Sequence, residues 1–189
     1  MSGYAISTIN QQVLLDLAKE SIAYRLQNNH DLEINPEKYP AELREVLSSF
    51  VTLHLQQNLR GCIGGLEASQ PLVVDVVKHA YAAAFHDPRF PPLSAEEFST
   101  ISIDISVLTP QQPIDFANED ELLSTLRPGV DGLTIKDGHH HSTFLPSVWK
   151  QIPDRGKFLQ QLKLKAGLPS NYWSSSLKAY RYTTFNFSD

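Results

Sequence analysis

The sequence has little of several features that would place it in a particular class of protein. It has one cysteine, so no internal disulfide can form, and an unpaired thiol fits a reducing compartment. No apolar run reaches the roughly 18 residues of a membrane-spanning helix, and the N-terminus lacks the basic flank and apolar core of a secretion signal. We therefore expect a cytoplasmic protein without a membrane segment.

Positively charged residues are also fewer than negatively charged ones. The chain has 16 lysines and arginines against 21 aspartates and glutamates, a net charge of -5, which disfavours nonspecific binding to nucleic acid or to anionic membranes. The sequence contains no phosphate-binding loop, dinucleotide fingerprint or serine elbow. We therefore predict no cofactor.

No repeat, low-complexity tract or Gly/Ser linker divides the 189 residues. We expect one domain over residues 1–189, with room for a small second lobe packed against the main sheet. Helices and strands mix without strict βαβ alternation, which predicts an α+β fold with a mainly antiparallel sheet flanked by helices. The periodicities predict helices at 8–29, 71–86, 94–98, 118–126 and 154–166, and strands at 50–55, 59–63, 101–107, 132–135 and 180–187.

The cysteine occupies an unusual position. Cys62 lies between Gly61 and Ile63, two residues after Arg60. Residues i and i+2 of a strand share a face, so we expect Arg60 and Cys62 to point the same way, where a guanidinium would favour the thiolate. A three-residue connection at 56–58 would add His54 to that face, whereas an even-length turn would move His54 to the other face.

Cys62, Arg60 and His54 are therefore the candidate catalytic residues, with His54 accepting the thiol proton. The competing interpretation is that the cysteine is a small buried hydrophobe, since free cysteine is among the most buried residue types. A guanidinium buried without a partner is costly, which favours a face open to a cleft or to solvent.

A second group of polar residues follows the predicted helix that ends near residue 86. His86, Asp87, Arg89 and Phe90 lie in a loop stiffened by prolines, and they could line a binding site. Equally, Asp87 could bond backbone amides and pair with Arg89 while Phe90 anchors the loop.

Two further positions are weaker candidates. His139 and His141 have a spacing that could ligate a metal on a strand, but no Cys or carboxylate stands at a zinc spacing from them, so we predict solvated turn residues and no metal site. Asp104 is expected to face solvent or an arginine rather than to act in catalysis.

Five motifs together resemble the AMMECR domain family, whose microbial members are called AmmeMemoRadiSam system protein A. Their order and spacing match over nearly the whole chain. The motifs are Leu59-Arg60-Gly61-Cys62-Ile63-Gly64, Asp87-Pro88-Arg89-Phe90-Pro91-Pro92-Leu93, Ile105-Ser106-Val107-Leu108-Thr109-Pro110, Phe144-Leu145-Pro146 and Lys165-Ala166-Gly167-Leu168-Pro169.

The resemblance implies two unequal lobes with the motif residues near a cleft, and it leaves the reaction unassigned. It also implies a shared system with a Memo-type protein and a radical S-adenosylmethionine enzyme. Some relatives carry a second cysteine where Lys163 stands, so a two-cysteine mechanism is not available to this chain. By this resemblance, the site residues of this chain are those of the first two motifs: Arg60, Gly61, Cys62, Gly64, Asp87, Arg89 and Phe90.

Three functions follow as hypotheses. The first is an enzyme or enzyme partner that uses Cys62 and Arg60 in a cleft on a small or peptide-like substrate, with Gly61, Gly64 and the 86–90 loop in binding. The second is a noncatalytic binding or scaffold module whose glycine-rich motif forms a groove for a partner. The third, nucleic-acid regulation, is disfavoured by the acidic balance.

Overall fold

A computed structural model describes residues 6–189 of the chain. It contains six α-helices and eight strands within that range, which confirms the predicted α+β class. The helices are α1 (Thr8–Asn28), α2 (Ala41–Arg44), α3 (Leu72–Phe85), α4 (Ala95–Phe98), α5 (Glu119–Thr125) and α6 (Arg155–Lys165). The strands are β1 (Ser48–Leu55), β2 (Asn58–Gly64), β3 (Ile101–Leu108), β4 (Gln112–Ile114), β5 (Gly132–Asp137), β6 (His140–Phe144), β7 (Lys178–Tyr182) and β8 (Thr184–Ser188).

The chain divides into two compact units. Unit 1 comprises the described residues up to Leu108 together with Phe185–Asp189, and unit 2 comprises Thr109–Thr184. Each unit has its own apolar core and its own four-stranded sheet.

Unit 1 is built on a sheet with the strand order β2-β1-β3-β8. Strand β1 runs antiparallel to both β2 and β3, and the alternation of Ile103 and Ile105 with Ser102 and Asp104 gives β3 one buried and one half-exposed face. Helix α3 packs on β1 and β2, and α1 packs on α3. The apolar face of the sheet is thereby covered, while the opposite face carries the polar side chains.

The first helix ends as its sequence indicates, since Asn29 adopts the left-handed conformation that closes a helix C-terminus. Its N-cap is Ser7, whose hydroxyl accepts the backbone N–H of Asn10. Helix α3 ends at Phe85, one residue before His86 and two before Asp87-Pro88. The 86–90 loop therefore begins directly at the end of a buried helix.

Unit 2 has the strand order β4-β7-β5-β6, with every adjacent pair antiparallel. Helix α6 packs against β6. The core contains a stacked pair, Trp149 and Phe158, with ring centroids 3.7 Å apart and nearly parallel planes. The Trp149 indole N–H donates to the backbone O of Asp131 at 2.7 Å, so the buried ring has no unpaired polar group.

The predicted final strand at 180–187 is wrong. The segment forms two strands, β7 and β8, which are separated by Thr183 and belong to different sheets. Six of the eight residues at 180–187 are aromatic or β-branched, including those at the break, so composition alone gave no sign of it. The short strand β4 was also not predicted, because Pro113 within it is unusual for a strand and is tolerated on this sheet edge.

No helix within the described range 6–189 is long and apolar enough to cross a membrane.

Candidate functional site

The hairpin that carries Cys62 turns on two residues rather than three. Gln56 and Gln57 occupy the turn with φ values of 51° and 67°, and Leu55 pairs with Asn58. The predicted three-residue connection is therefore wrong. Both central residues have positive φ, which is the signature of a type I′ turn, normally supplied by Asn-Gly, so the sequence carried no turn signal at this position.

A β-bulge at Arg60 then shifts the pairing between β1 and β2 by one residue. His54 pairs with Leu59, Leu53 pairs with Gly61 and Thr52 pairs with Cys62, which leaves Arg60 without a partner on β1. One extra residue in a strand interrupts the alternation of side chains. His54 and Thr52 consequently share the face of Cys62, as predicted, while Arg60 does not follow the i, i+2 rule that was expected to place it there.

Arg60 is committed to another part of unit 1. Its Nε and Nη2 donate to the two carboxylate oxygens of Glu97 at 2.7 and 2.9 Å, and Nη2 also donates to the backbone O of Pro91 at 3.0 Å. Its side chain is 8% exposed, and Nη1 is buried without a hydrogen-bond partner. The expectation that Arg60 faces the thiol is corrected by these contacts, because the guanidinium holds the segment after the 86–90 loop against β2.

Glu97 is a residue that sequence analysis did not select. It forms a reciprocal capping box with Ser94 at the start of α4, and this Ser-x-x-Glu pattern is the signal that could have drawn attention to it. The hydrogen bonds from Arg60, followed by that from the backbone of Ser94, lower the pKa of Glu97 to about 2. Glu97 is therefore an anion at neutral pH.

The arginine that contacts Cys62 is Arg89. Its Nη2 donates to the backbone O of Cys62 at 3.3 Å, and its Nε and Nη2 donate to Asp87 at 2.9 and 2.6 Å. Asp87 in turn accepts the backbone N–H of Cys62 at 2.8 Å. The pair thus binds both backbone groups of Cys62 that point away from β1, as a neighbouring strand would, at the open edge of the sheet.

The charges of this pair are strongly fixed. The Asp87 side chain is 2% exposed, and the hydrogen bonds from Arg89, together with the backbone N–H of Cys62, hold its pKa far below the usual range. The hydrogen bond to Asp87 raises the pKa of Arg89, and negative charge on Cys62 acts in the same direction. Arg89 is half-exposed, so its guanidinium is a permanent cation beside Cys62 that also meets solvent.

The thiol itself is half-buried and has a neutral neighbour. The Thr52 hydroxyl donates to Sγ of Cys62 at 3.1 Å. On β3, Asp104 pairs with Thr52 in register, so Cys62, Thr52 and Asp104 form a row across three strands on one face.

His54 lies in the next row of that face. Its Nδ1 is 3.4 Å from Oδ2 of Asp104, which is half-exposed. Asp104 thus meets solvent, as expected, and its charged partner is a histidine rather than an arginine. The face combines a thiol, a hydroxyl and an imidazole oriented by a carboxylate.

The glycines of the first motif are explained by close packing. A Cβ on Gly61 would collide with the backbone O of Ala83 in α3, and a Cβ on Gly64 would collide with the Phe50 ring. Both positions require the absence of a side chain. Neither glycine lines an open groove on the side where its Cβ would lie.

The other candidate residues of the loop have separate contacts. Nε2 of His86 lies 3.1 Å from the hydroxyl of Tyr81. The Phe90 ring lies near two guanidinium groups, with its centroid 5.7 Å from Cζ of Arg60 and 5.6 Å from Cζ of Arg89. The structure therefore brings Phe90 together with both arginines, and it places His86 against Tyr81.

A buried cluster on the opposite face of the sheet was missed from sequence. Asp75 accepts the backbone N–H and the hydroxyl of Ser49 at 2.8 and 2.7 Å, and its Oδ2 is 3.0 Å from Nδ1 of His79. Burial opposes ionisation, but the hydrogen bonds from His79 and Ser49 prevail and lower the pKa of Asp75. The Ser49 hydroxyl donates to the carboxylate at 2.7 Å and also lies 3.4 Å from Nδ1 of His79, the nitrogen that faces Asp75. Because the hydroxyl proton is directed to the carboxylate, we interpret this cluster as a contact that joins α3 to β1.

His139 and His141, which were expected to be solvated turn residues, are both exposed, the first in the β5–β6 turn and the second in β6. His139 precedes β6, and Nδ1 of His140 is 2.9 Å from the backbone O of Ala166. Within residues 6–189 no group of three or more His, Cys, Asp or Glu side chains could hold a metal ion.

The comparisons with known proteins agree with the motifs. The AMMECR1 family model matches residues 15–187. The chain belongs to the AMMECR1 family. Similar family proteins include one from Methanothermobacter thermautotrophicus, 35% identical with 90% of each chain covered, and one from Thermococcus onnurineus, 39% identical with 94% of this chain and 89% of the relative covered.

A solved structure supports the fold of this AMMECR1 family member. The crystal structure of an uncharacterized protein from Pyrococcus horikoshii is similar with a TM-score of 0.84 at 35% identity, and the match covers 94% of this chain and 90% of the other. The description of that relative assigns no activity, so the function of the site must be argued from its geometry.

Proposed function

We propose that the chain is an enzyme, or the thiol-bearing partner of one, that acts through Cys62 on a small or peptide-like substrate. The observation that carries the proposal is the setting of the half-buried thiol, which shares a face with His54 and whose backbone is held by the permanent cation Arg89. The positive charge that the sequence assigned to Arg60 comes instead from Arg89. Arg60 contributes indirectly, by fixing the bulge next to Cys62.

The proposed chemistry is nucleophilic attack by sulfur. The S–H bond of Cys62 breaks as an S–C bond forms to a carbonyl carbon of the substrate, the C=O π bond opens and its electron pair moves to the oxygen, and the proton passes to Nε2 of His54. Asp104, at Nδ1 of that ring, stabilises the resulting imidazolium. Nη1 of Arg89 lies outside the hydrogen bonds to Asp87 and Cys62, so it is available to a negatively charged or carbonyl oxygen of the substrate.

By family resemblance we also propose that the chain works in one system with a Memo-type protein and a radical S-adenosylmethionine enzyme. These partners would indicate the pathway in which the chain acts, but not which substrate bond it breaks or forms.

A binding or scaffold module is the second candidate. It is favoured by the hydrogen bond to Sγ, whose donor is the neutral hydroxyl of Thr52 and not a base. In this alternative Cys62 serves in packing and the glycine-rich motif supports a surface for a partner.

Alkylation of the single cysteine tests the enzyme proposal, because mass spectrometry then reports one site. We expect iodoacetamide to modify the folded chain faster than the urea-unfolded chain at the same pH. Arg89→Gln should slow the reaction about fivefold, since a unit charge at roughly 4 Å in water is worth about 1 kcal/mol. Lys178→Gln removes an exposed cation in unit 2 and is the matched control, for which we expect an unchanged rate. A folded chain that reacts no faster than the unfolded chain would contradict an activated thiol.

A second experiment separates the two candidates. In a reconstituted system with the Memo-type and radical enzymes, Cys62→Ser should abolish turnover and retain partner binding if the thiol is catalytic. If the chain is a scaffold, Cys62→Ser should retain both turnover and partner binding.

A further inference from the structure

A pocket of about 480 Å³ lies in unit 2, where the end of β4 meets the start of β7. Its volume is within the range of small-molecule sites. None of the residues of the proposed thiol site lines it. The lining residues that matter here are Asp115, Phe116, Trp173, Ser174, Lys178 and Tyr180.

One side of the pocket is aromatic. Phe116 and Trp173 are both half-buried and meet edge to face, with ring centroids 5.6 Å apart. The ammonium of Lys163, whose side chain is fully buried, lies 5.6 Å from the Trp173 ring centroid and 2.7 Å from a carboxylate oxygen of Glu119. The ring quadrupole favours edge-to-face or offset contact with another aromatic ring, so both aromatic side chains suit a ligand that carries a ring. An aromatic ligand would also remove the exposed parts of both rings from water.

The pocket also carries one charge of each sign. Ile114 pairs with Ala179, so continuing the antiparallel register by one residue places Asp115 opposite Lys178. Both side chains are exposed, and neither forms an ion pair with any residue in the described part of the chain. Opposite charges at facing positions that do not pair with each other remain available to a ligand that has both an ammonium and a carboxylate.

We propose that this pocket binds a small zwitterionic aromatic ligand of the size of an aromatic amino acid. The ring packs against Trp173 and Phe116, the ammonium faces Asp115 and the carboxylate faces Lys178. The site is separate from Cys62, and its occupation does not depend on the function proposed for the thiol.

Calorimetric titration of the full chain with L-phenylalanine tests the proposal. For a ligand of this size, ordinary ligand efficiency gives a Kd of about 2 mM. Fluorescence provides a second readout, because Trp173 lines the pocket whereas Trp149, the other tryptophan, is buried against Phe158. We expect saturable binding by both methods, and L-leucine, which lacks the ring, should bind at least about fivefold more weakly.

Two exposed charge variants make the test specific. Asp115→Asn should bind phenylalanine and 3-phenylpropanoate, which lacks the ammonium, equally well, whereas the wild-type chain should prefer phenylalanine about fivefold. Lys178→Gln should likewise lose the preference for phenylalanine over phenethylamine, which lacks the carboxylate. Absence of saturable binding to the wild-type chain up to about 20 mM would overturn the proposal. Binding that leucine matches, or preferences that both variants retain, would overturn it as well.

Discussion

The carboxylate of Asp87 accepts the backbone N–H of Cys62 at 2.8 Å, across 25 residues of sequence. This bond, together with the Arg89 bond to the Cys62 carbonyl, occupies the open edge of β2. The thiol therefore sits on a strand whose position is fixed from both sides, by β1 on one edge and by a side-chain pair on the other. Fixing the backbone beside a reactive group reduces the reorganisation that a reaction requires.

Asp87→Asn tests how much the edge contact contributes to stability. The change leaves a buried amide that accepts fewer hydrogen bonds and removes the anion facing Arg89, so we expect the free energy of unfolding to fall by about 2–3 kcal/mol. Urea denaturation followed by circular dichroism measures it. Asp115→Asn, at an exposed position without an ion pair, is the control and should change stability by less than about 0.5 kcal/mol. Equal stability of the two variants would show that the pair contributes nothing net.

The depressed pKa values predict a loss of stability in acid. Asp87 and Glu97 both have folded-state pKa values below their unfolded values, so the stability they contribute is present above the unfolded pKa and is lost as pH falls through the folded pKa. For Glu97 this window extends from about 4.5 down to about 2. The urea midpoint of the wild-type chain should therefore fall across this range.

Glu97→Gln is the control for this pH dependence. It should lower stability at neutral pH and show a smaller further loss between the same two pH values, because residue 97 can no longer be protonated. An identical pH profile in the variant and the wild-type chain would show that other carboxylates control the acid transition.

The Arg60–Glu97 pair should behave as one unit. Arg60→Met removes the guanidinium and also its unpartnered Nη1, so we expect a loss of about 2–4 kcal/mol, partly offset by the removal of that unsatisfied donor. In the double variant with Glu97→Gln the loss should be smaller than the sum of the single losses by at least about 1 kcal/mol. A double-mutant cycle in urea gives this coupling energy, and additive losses would argue against a direct interaction.

The motif glycine nearest to α3 offers a test of packing. Gly61→Ala places a methyl group against the backbone O of Ala83, which can move only if the helix moves, so we expect a loss of about 1–3 kcal/mol. Gly156→Ala, near the start of α6, meets only an ordinary contact with Asp154 and should leave stability unchanged or raise it by up to about 1 kcal/mol, since alanine favours the helix. Thermal unfolding of both variants measures the difference, and equal melting temperatures would contradict the close approach.

Much of unit 1 could be predicted from the sequence because its apolar residues recur at regular strand and helix spacings. The alternation at 101–107 and the apolar stripe of α3 give the sheet and its covering helix directly. The partner of Arg60 could not be predicted, because the bulge depends on backbone geometry and the partner Glu97 lies 37 residues further along the chain. The assignment of β7 and β8 to different sheets could not be predicted either, because it depends on long-range pairing and not on local composition.

The sequence indicated which residues to consider for the site, but not how they contact one another. The structure brings Asp87 and Arg89 to the backbone of Cys62, whose face His54 shares, but Arg60, which was expected beside the thiol, binds Glu97 instead. Both arginines occur in motifs with an adjacent glycine or proline, and residue type alone does not distinguish an arginine that supports the backbone from one that meets solvent.

Thr109 and Thr183, the residues near the two ends of unit 2, are hydrogen-bonded to each other. The backbone N–H of Thr109 donates to the O of Thr183 at 2.9 Å, and the N–H of Thr183 donates to the Thr109 hydroxyl at 2.9 Å. A segment whose ends adjoin can be excised, grafted into another host loop or circularly permuted with little loop-closure entropy. Residues 109–184 therefore form a segment that can be excised or permuted as one piece.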